Sequence, residues 1–461
     1  MGRRPGRAAG GELPMKRRNK GVAGQATRVV ALSFGGVILV GALLLMLPAS
    51  SADGVCCGAL RAFFTATSAS CVTGLVLSDT LTAWSPFGQA VILGMIQLGG
   101  LGFMTIIYML SSAIRKRSSI SQRLLMVSAF NLNDLSDAAH VVRRALCITF
   151  TLEGAGAVIL AACFAPRYGW GAIWKGIFVS VSAFCNAGFD ILGPEGLGSL
   201  SGYSGNPVVL LTAAALVICG GLGFFVWEEL RTRRSYRRLS LYSRMVLWIT
   251  GALLLGGTVF FFCTEYANPA TLGPMPVWQK LLNAFFQSAS LRTAGFYAID
   301  QGALTDTATA GCILLMLVGG SSGSTAGGLK TVTLGVLLLS MGAGLRGRET
   351  VVFRGRQIPP KQVLSALTLV QTMGVVFLTA SMAIALADSV PFLQAAYEAA
   401  SAIATVGLTT GITPGLSLFS HLLLIAMMYL GRVGVLSFSL AFLSGGTAER
   451  IQYPETSVMI G

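Results

Sequence analysis

Apolar residues in this chain fall in long runs rather than in alternation, and the pattern of runs repeats four times, about every 110 residues. A helix needs about 20 apolar residues to cross a bilayer. Eight runs meet that length: Val29–Leu47, Phe87–Leu110, Ala145–Phe164, Pro207–Val226, Met245–Cys263, Ala308–Leu339 (interrupted), Leu364–Ala387 and Ser420–Leu443. Within each pair lies a shorter apolar segment, near 55–69, 171–184, 277–290 and 391–403. These are too short to cross. They predict re-entrant helices, which are tolerated at membrane depth only when buried in protein or lining a water-filled path.

Each short segment ends in a related motif. The copies are Ser68–Leu75 (SASCVTGL), Ser182–Phe189 (SAFCNAGF), Ser288–Phe296 (SASLRTAGF) and Ser401–Leu408 (SAIATVGL). One glycine recurs in each: Gly74, Gly188, Gly295 and Gly407. Four copies in the same orientation predict an all-α polytopic membrane protein. It has four tandem M1–pore loop–M2 repeats, eight transmembrane helices and four re-entrant pore helices, around one central pore. The boundaries are a basic cytoplasmic tail at 1–28, repeats at 29–115, 140–232, 240–345 and 360–445, and a cytoplasmic tail at 446–461.

The repeated loops suit a dehydrated cation. Backbone carbonyls replace the lost water if successive residues point them inward, and a glycine allows the unusual backbone this requires. The candidate ion-binding residues are Val72, Thr73 and Gly74, then Asn186, Ala187 and Gly188, then Thr293, Ala294 and Gly295, and finally Thr405, Val406 and Gly407. A short helix ahead of each loop aims its negative end at the ion.

Composition agrees: 54% of residues are hydrophobic, 11% are charged, and mean hydropathy is +0.72. Of 33 Lys and Arg, 26 lie in residues 1–28, 115–144, 231–244 and 346–361 and at Arg450, which puts those segments and both termini in the cytoplasm. The net charge of +15 therefore reports topology. No nucleic-acid-binding signature accompanies the basic runs. The nine cysteines have no metal-ligand spacing and read as small apolar fillers. Two histidines, His140 and His421, and no nucleophile–base constellation argue against catalysis.

A second glycine pattern follows the first, at Gln97–Phe103 (QLGGLGF), Cys219–Phe224 (CGGLGF), Val318–Lys330 (VGGSSGSTAGGLK) and Tyr429–Gly434 (YLGRVG). Close helix packing accounts for the first two. The third, with Gly319, Gly320, Ser321, Ser322, Gly323, Ser324, Thr325, Gly327 and Gly328, concentrates poor helix formers mid-span and predicts unwound backbone beside a water path. Lys330 follows it, and Arg432 occupies the matching region of the fourth copy; cations at this depth are costly and point to function. Arg292 precedes the third loop glycine, and Glu398 on the fourth short helix is its expected buried partner, the two bracing the loop from behind. Asp53, Asp79, Asp190, Asp300, Asp306 and Asp388 lie outside, where they concentrate cations. Glu153 is expected to be hydrogen-bonded inside the core.

On the four loop motifs, the re-entrant plan, Gly319–Lys330, Arg432 and the ending Gln452–Gly461, the chain resembles the Trk/Ktr/HKT superfamily of potassium transporters over about residues 25–461. Within it, the chain looks most like a bacterial Ktr-type membrane subunit. The resemblance implies potassium as substrate, with sodium as an optional activator, and potassium preference from four filter glycines. It also implies that Gly319–Lys330 is an intramembrane gate below the filter, near Arg432. It further implies a homodimer in the cell membrane, one pore per protomer, on an octameric ring of cytosolic RCK-type regulatory subunits. Nucleotide belongs to that partner, because this chain has no GxGxxG after a strand and no cofactor site of its own. Two rival readings stay open: a secondary transporter of another small solute, and a non-transporting membrane subunit associated with a sodium-pumping ATPase. Inverted repeats would favour the former, and these copies are not inverted.

Overall fold

A computed structural model of the protein describes residues 19–102, 138–193, 198–233 and 235–434. The predicted span ends 103–110 and 435–443, the basic segment 115–137, and the tails 1–18 and 446–461 lie outside those residues.

Helices dominate. They are α1 (Asn19–Leu45), α2 (Ala59–Ser70), α3 (Pro86–Leu101), α4 (Ala138–Tyr168), α5 (Gly171–Cys185), α6 (Pro207–Leu222), α7 (Phe224–Arg233), α8 (Leu241–Glu265), α9 (Val277–Ser290), α10 (Asp306–Met316), α11 (Thr331–Gly344), α12 (Pro360–Asp388), α13 (Phe392–Ile403) and α14 (Leu418–Val433). One hairpin, β1 (Val352–Phe353) and β2 (Arg356–Gln357), joins α11 to α12. Short polar signals set the helix starts. Ser85, Asn206, Ser240, Thr305 and Ser417 each accept a backbone N–H of the first turn, and Pro86 and Pro207 sit where a missing N–H costs nothing.

Among the described residues, three helical stretches are long and apolar enough to cross a membrane: Arg143–Tyr168, Leu241–Glu265 and Pro360–Asp388. At most 28% of each apolar window is buried, and outward leucines and valines such as Val158, Leu255 and Leu386 remain exposed. Such continuous apolar surface suits lipid. These helices form the outer layer.

The short helices α2, α5, α9 and α13 form the inner layer, and their packing closes a circle. Each contacts a following helix from the previous quarter of the chain: α5 lies on α3, α9 on α6, α13 on α10 and α2 on α14. Large buried side chains on them, including Phe64, Phe178, Phe286 and Tyr397, fill the space behind the loops.

Several predicted spans are not continuous helices. The predicted helix Pro207–Val226 stops at Leu222, and α7 leaves it at 93°. The helix α3 ends at Gly102, α6 at Gly223 and α14 at Gly434, with φ of 78°, 89° and 90°. Side chains resist that region, so each glycine permits a break at the same place in its repeat. Packing alone was expected for the first two glycine runs. Packing is present, since a Cβ on Gly99 would strike Ser70 O and one on Gly220 would strike Phe184 O, but the helices also end there. The third run is the most open: α10 stops at Met316, and regular structure resumes at Thr331.

Candidate functional site

The four loops share one backbone signature. Two residues before each repeated glycine the chain is left-handed, with φ of 57° at Val72, 60° at Asn186, 66° at Thr293 and 53° at Thr405. Asparagine tolerates this region, whereas Val and Thr there cost about 1–2 kcal/mol each. Their surroundings impose it. Backbone N–H groups of Thr73, Ala187 and Val406 each reach back 2.8 Å to the carbonyls of Ser68, Ser182 and Ser401. The hydroxyls of Ser68 and Ser401 accept the N–H of Gly74 and Gly407, each at 3.0 Å. The third loop differs in register: Ala294 N–H donates to Ser290 O at 2.9 Å, and Ala289, not Ser288, stands six residues before its glycine.

The glycines meet one another's carbonyls in a closed ring. A Cβ on Gly74 would lie 2.5 Å from Ala187 O, one on Gly188 2.9 Å from Ala294 O, and one on Gly295 2.5 Å from Val406 O. A Cβ on Gly407 would strike Thr73 O, which returns the circuit to the first loop. Glycine is thus required both by its φ and by the neighbouring backbone. The carbonyls of Thr73, Ala187, Ala294 and Val406, one from each repeat, converge on this ring.

One cavity of about 340 Å³ is lined by all four glycines together with Asp79, Asp190, Tyr297 and Thr409. Among the described residues, no Lys or Arg lines it. Two of the six expected external aspartates therefore stand at the ring. Others do local work: Asp300 binds Gly302 N–H at 2.9 Å, and Asp388 binds Ser417 N–H at 2.7 Å. Burial, and then the charge of Asp79, push the Asp190 carboxyl up to about 6. Its Oδ1 accepts Leu192 N–H at 3.1 Å, and Lys175 donates to the adjacent Ile191 carbonyl.

On the other side of the ring lies the segment 318–330. Its neck is tied by Gly319 N–H to Leu329 O (2.9 Å) and Leu329 N–H to Leu317 O (3.1 Å). Its body contacts the second, third and fourth quarters directly, and reaches the first only through Arg432. Thr325 Oγ1 donates to Phe184 O at 3.1 Å and Ser321 N–H to Gly221 O at 3.0 Å, both in the second repeat. Gly319 and Gly327 press on Thr293 and Thr405, and no Cβ fits between. Arg432 completes the circuit: Nη1 donates to Thr325 O at 2.5 Å and Nη2 to Gly99 O in the first repeat.

Of the polar side chains expected to hold it, Ser321, Ser324 and Thr325 hydrogen-bond within the site. The Ser322 carbonyl accepts Tyr242 Oη–H at 2.9 Å. Lys330 donates to Ala326 O at 2.8 Å, so it closes the loop on itself.

The expected Arg292–Glu398 pair is not formed. Arg292 Nη2 donates to Gly319 O at 3.1 Å, and no ion pair joins it to Glu398 among the described residues. Glu398 is enclosed by hydroxyls, with Thr409 at 2.7 Å and Thr413 at 2.6 Å, plus Thr410 N–H at 2.9 Å. Those donors lie just past the fourth loop in the chain, so local groups satisfy the carboxylate before a distant guanidinium reaches it. Sequence gave no sign of the Arg292–Gly319 contact, because it links positions 27 apart through an irregular segment. Glu153 is hydrogen-bonded as expected, with Gln97 Nε2 at 3.1 and 3.2 Å from its two oxygens.

Comparison with known proteins gives a consistent result. A family model described as "TrkH: Cation transport protein" matches residues 23–448. The potassium/sodium uptake protein NtpJ of Enterococcus hirae is 39% identical over 441 residues, covering 94% of this chain and 97% of that protein. The Ktr system potassium uptake protein B of Bacillus subtilis is 38% identical over 439 residues, covering 94% and 96%. The crystal structure of the potassium transporter TrkH from Vibrio parahaemolyticus superposes with a TM-score of 0.70 over 93% of this chain and 86% of that one, at 17% identity. That last likeness concerns the fold.

Proposed function

In a chain that belongs to the TrkH family of cation transport proteins, and is a membrane transporter rather than an enzyme, we propose that the ring of four glycines is the selectivity filter of a potassium uptake pathway. The observation that carries this reading is the circuit of glycine against carbonyl, one contact per repeat, opening onto a cavity lined, among the described residues, by two carboxylates and no cationic side chain. On this reading the chain is four M1–pore loop–M2 repeats around one pore, with both termini in the cytoplasm.

Asp79 and Asp190 raise the local cation concentration at the mouth. A potassium ion sheds water at the ring, where carbonyls of Thr73, Ala187, Ala294 and Val406 replace it. The C-terminal ends of α2, α5, α9 and α13 meet the loops directly and add negative potential. With a single glycine per loop, fewer layers of carbonyls are ordered than in filters with two, so sodium is rejected less strictly.

Below the filter, the segment Gly319–Lys330 closes the path. Its hydrogen bonds are each worth about 0.5–1.5 kcal/mol net, so displacement lies within reach of a partner that binds one state better. Arg432 both holds the loop and sets a positive barrier beneath the ring. The regulating partner is a cytosolic RCK-type, nucleotide-binding subunit assembled as a ring, on which the membrane chain sits as a homodimer. Sodium stimulation belongs to the same proposal, supported by the name of the Enterococcus hirae relative alone, a potassium/sodium uptake protein.

Expression in a potassium-uptake-deficient host tests the function. Growth at low external potassium that is restored by the wild type, and not by Gly74→Arg of equal membrane abundance, supports the pathway. Failure of the abundant wild-type chain, supplied with a cognate cytosolic subunit, to restore growth contradicts it.

A further inference from the structure

At the end of α8 that follows the basic run 231–244, a groove of about 350 Å³ opens between α8 and α11. Met245, Trp248, Ile249, Leu338 and Phe353 form its walls, and Arg354 stands at its mouth. Gly335 lets the helices touch at its floor, since any Cβ there would strike Met245 and Ile249. The face beside it stays uncovered: Leu338, Met341 and Leu345, spaced by three and four, are 51%, 59% and 82% exposed.

The mouth of the groove is aromatic and cationic. Trp248 Nε1 donates to Tyr236 Oη at 2.6 Å. The guanidinium of Arg244 lies 5.7 Å from the Tyr236 ring centre, and that of Arg354 5.9 Å from the same ring. One ring therefore gathers both cations. Neither arginine has a carboxylate partner among the described residues. Arg354 also occupies the first position of a two-residue hairpin turn, at φ 48°, followed by Gly355 at 78°. Such turns favour Asn-Gly; an arginine there is held in a region its side chain disfavours.

An apolar slot at the bilayer boundary, capped by two arginines without carboxylate partners and by a Trp–Tyr pair at headgroup depth, matches the two ends of one kind of molecule. We propose that this groove binds an anionic phospholipid of the cytoplasmic leaflet, with its phosphate on Arg354 and Arg244 and an acyl chain along Met245, Ile249 and Leu338. The placement rests on the membrane orientation given above. The site is also coupled to the proposed gate: α11 begins directly after Lys330, and Thr331 N–H donates to Gly320 O at 3.0 Å.

Native mass spectrometry of the full chain, titrated with dioleoylphosphatidylglycerol or dioleoylphosphatidylcholine, tests the binding without reference to transport. The wild type is expected to retain the anionic lipid and not the zwitterionic one. Each arginine near a membrane surface accounts for about a fivefold change, so the double variant Arg354→Ala/Arg244→Ala should lose affinity roughly 25-fold. Leu338→Trp, which fills the slot from its exposed side, is expected to lose binding with both arginines intact. Millimolar inorganic phosphate should not compete. Equal retention of both lipids, or unchanged affinity in the double variant, overturns the site. Full binding in Leu338→Trp, or competition by phosphate, reduces it to an anion patch and overturns the lipid assignment. Loss of cytosolic-subunit binding in the double variant with lipid affinity unchanged also overturns it, in favour of a protein contact.

Discussion

Arg292 stands one residue before left-handed Thr293 and reaches the carbonyl of Gly319, so a single guanidinium joins the third ring loop to the start of the segment beneath it. Its position before the third loop glycine suggested a buried ion pair with Glu398, whose carboxylate is instead bonded by the hydroxyls of Thr409 and Thr413. Without a shared partner, the two residues are expected to act independently: a double-mutant cycle of Arg292→Gln and Glu398→Gln, read by folded yield on heating, should show coupling below about 0.5 kcal/mol. Recovery in the doubly neutral variant would restore the pair. At Gly74, a serine meets Ala187 O and a φ of 99° together. Gly74→Ser should keep membrane insertion and lower the potassium-to-sodium uptake ratio, and an unchanged ratio in flux assays speaks against the ring as filter. Asp190 gives a pH signature. Its carboxyl, normally near 3.8, is pushed up to about 6 by burial and by Asp79, with Lys175 opposing and Tyr297 close by. A raised acid stabilises the fold below 3.8, and that stabilisation is lost as pH rises through 6. Asp190→Asn should therefore gain about 1–3 kcal/mol relative to wild type between pH 4 and pH 8. In transport, external acid below pH 6 should slow wild-type uptake more than that of the asparagine variant.

The short helices and the breaks after them divide between what the sequence discloses and what it conceals. All four short helices were legible, because ten to fifteen apolar residues ending in a small-residue motif cannot cross a bilayer. The loop at 318–330 was legible too, since nine of its residues from Gly319 to Gly328 are Gly, Ser or Thr. The breaks at Gly102, Gly223 and Gly434 were not: a lone glycine in an apolar run looks the same whether it packs or ends a helix, and only its φ distinguishes the two. The third loop's register was hidden by a serine one place out of step. The left-handed Val72, Thr293 and Thr405 were invisible because β-branched residues argue against that conformation. The loop as an element makes its own prediction. Deleting Ser322–Thr325 removes the Thr325 contacts to Phe184 and Arg432, and Arg432→Ala removes those to Thr325 and Gly99. Both variants should raise ion flux and weaken its dependence on the cytosolic subunit. Wild-type flux with full dependence in both makes the segment a packing element.

At the scale of the whole molecule, hydropathy and the repeat period disclosed a helical membrane protein, and the family match agrees with that reading. What they could not give is how four quarters of one chain close on each other, because the contacts are backbone against backbone between loops more than 100 residues apart. Side-chain identity enters only as the permission that glycine grants. The outer helices supply lipid-facing surface, the inner ones hold the ring, and the segment 318–330 is tied to three quarters directly and to the first through Arg432. The proposed filter has one function-defining consequence: it requires a dehydrated monovalent cation at the centre of the carbonyls of Thr73, Ala187, Ala294 and Val406. Crystals of the protein grown in rubidium or thallium salts measure this directly through anomalous scattering. A peak on the axis at that carbonyl layer, absent in Gly74→Ser, is the expected result. An axis free of anomalous density in well-diffracting wild-type crystals, with ions found only among the vestibule carboxylates, would contradict a filter at this ring.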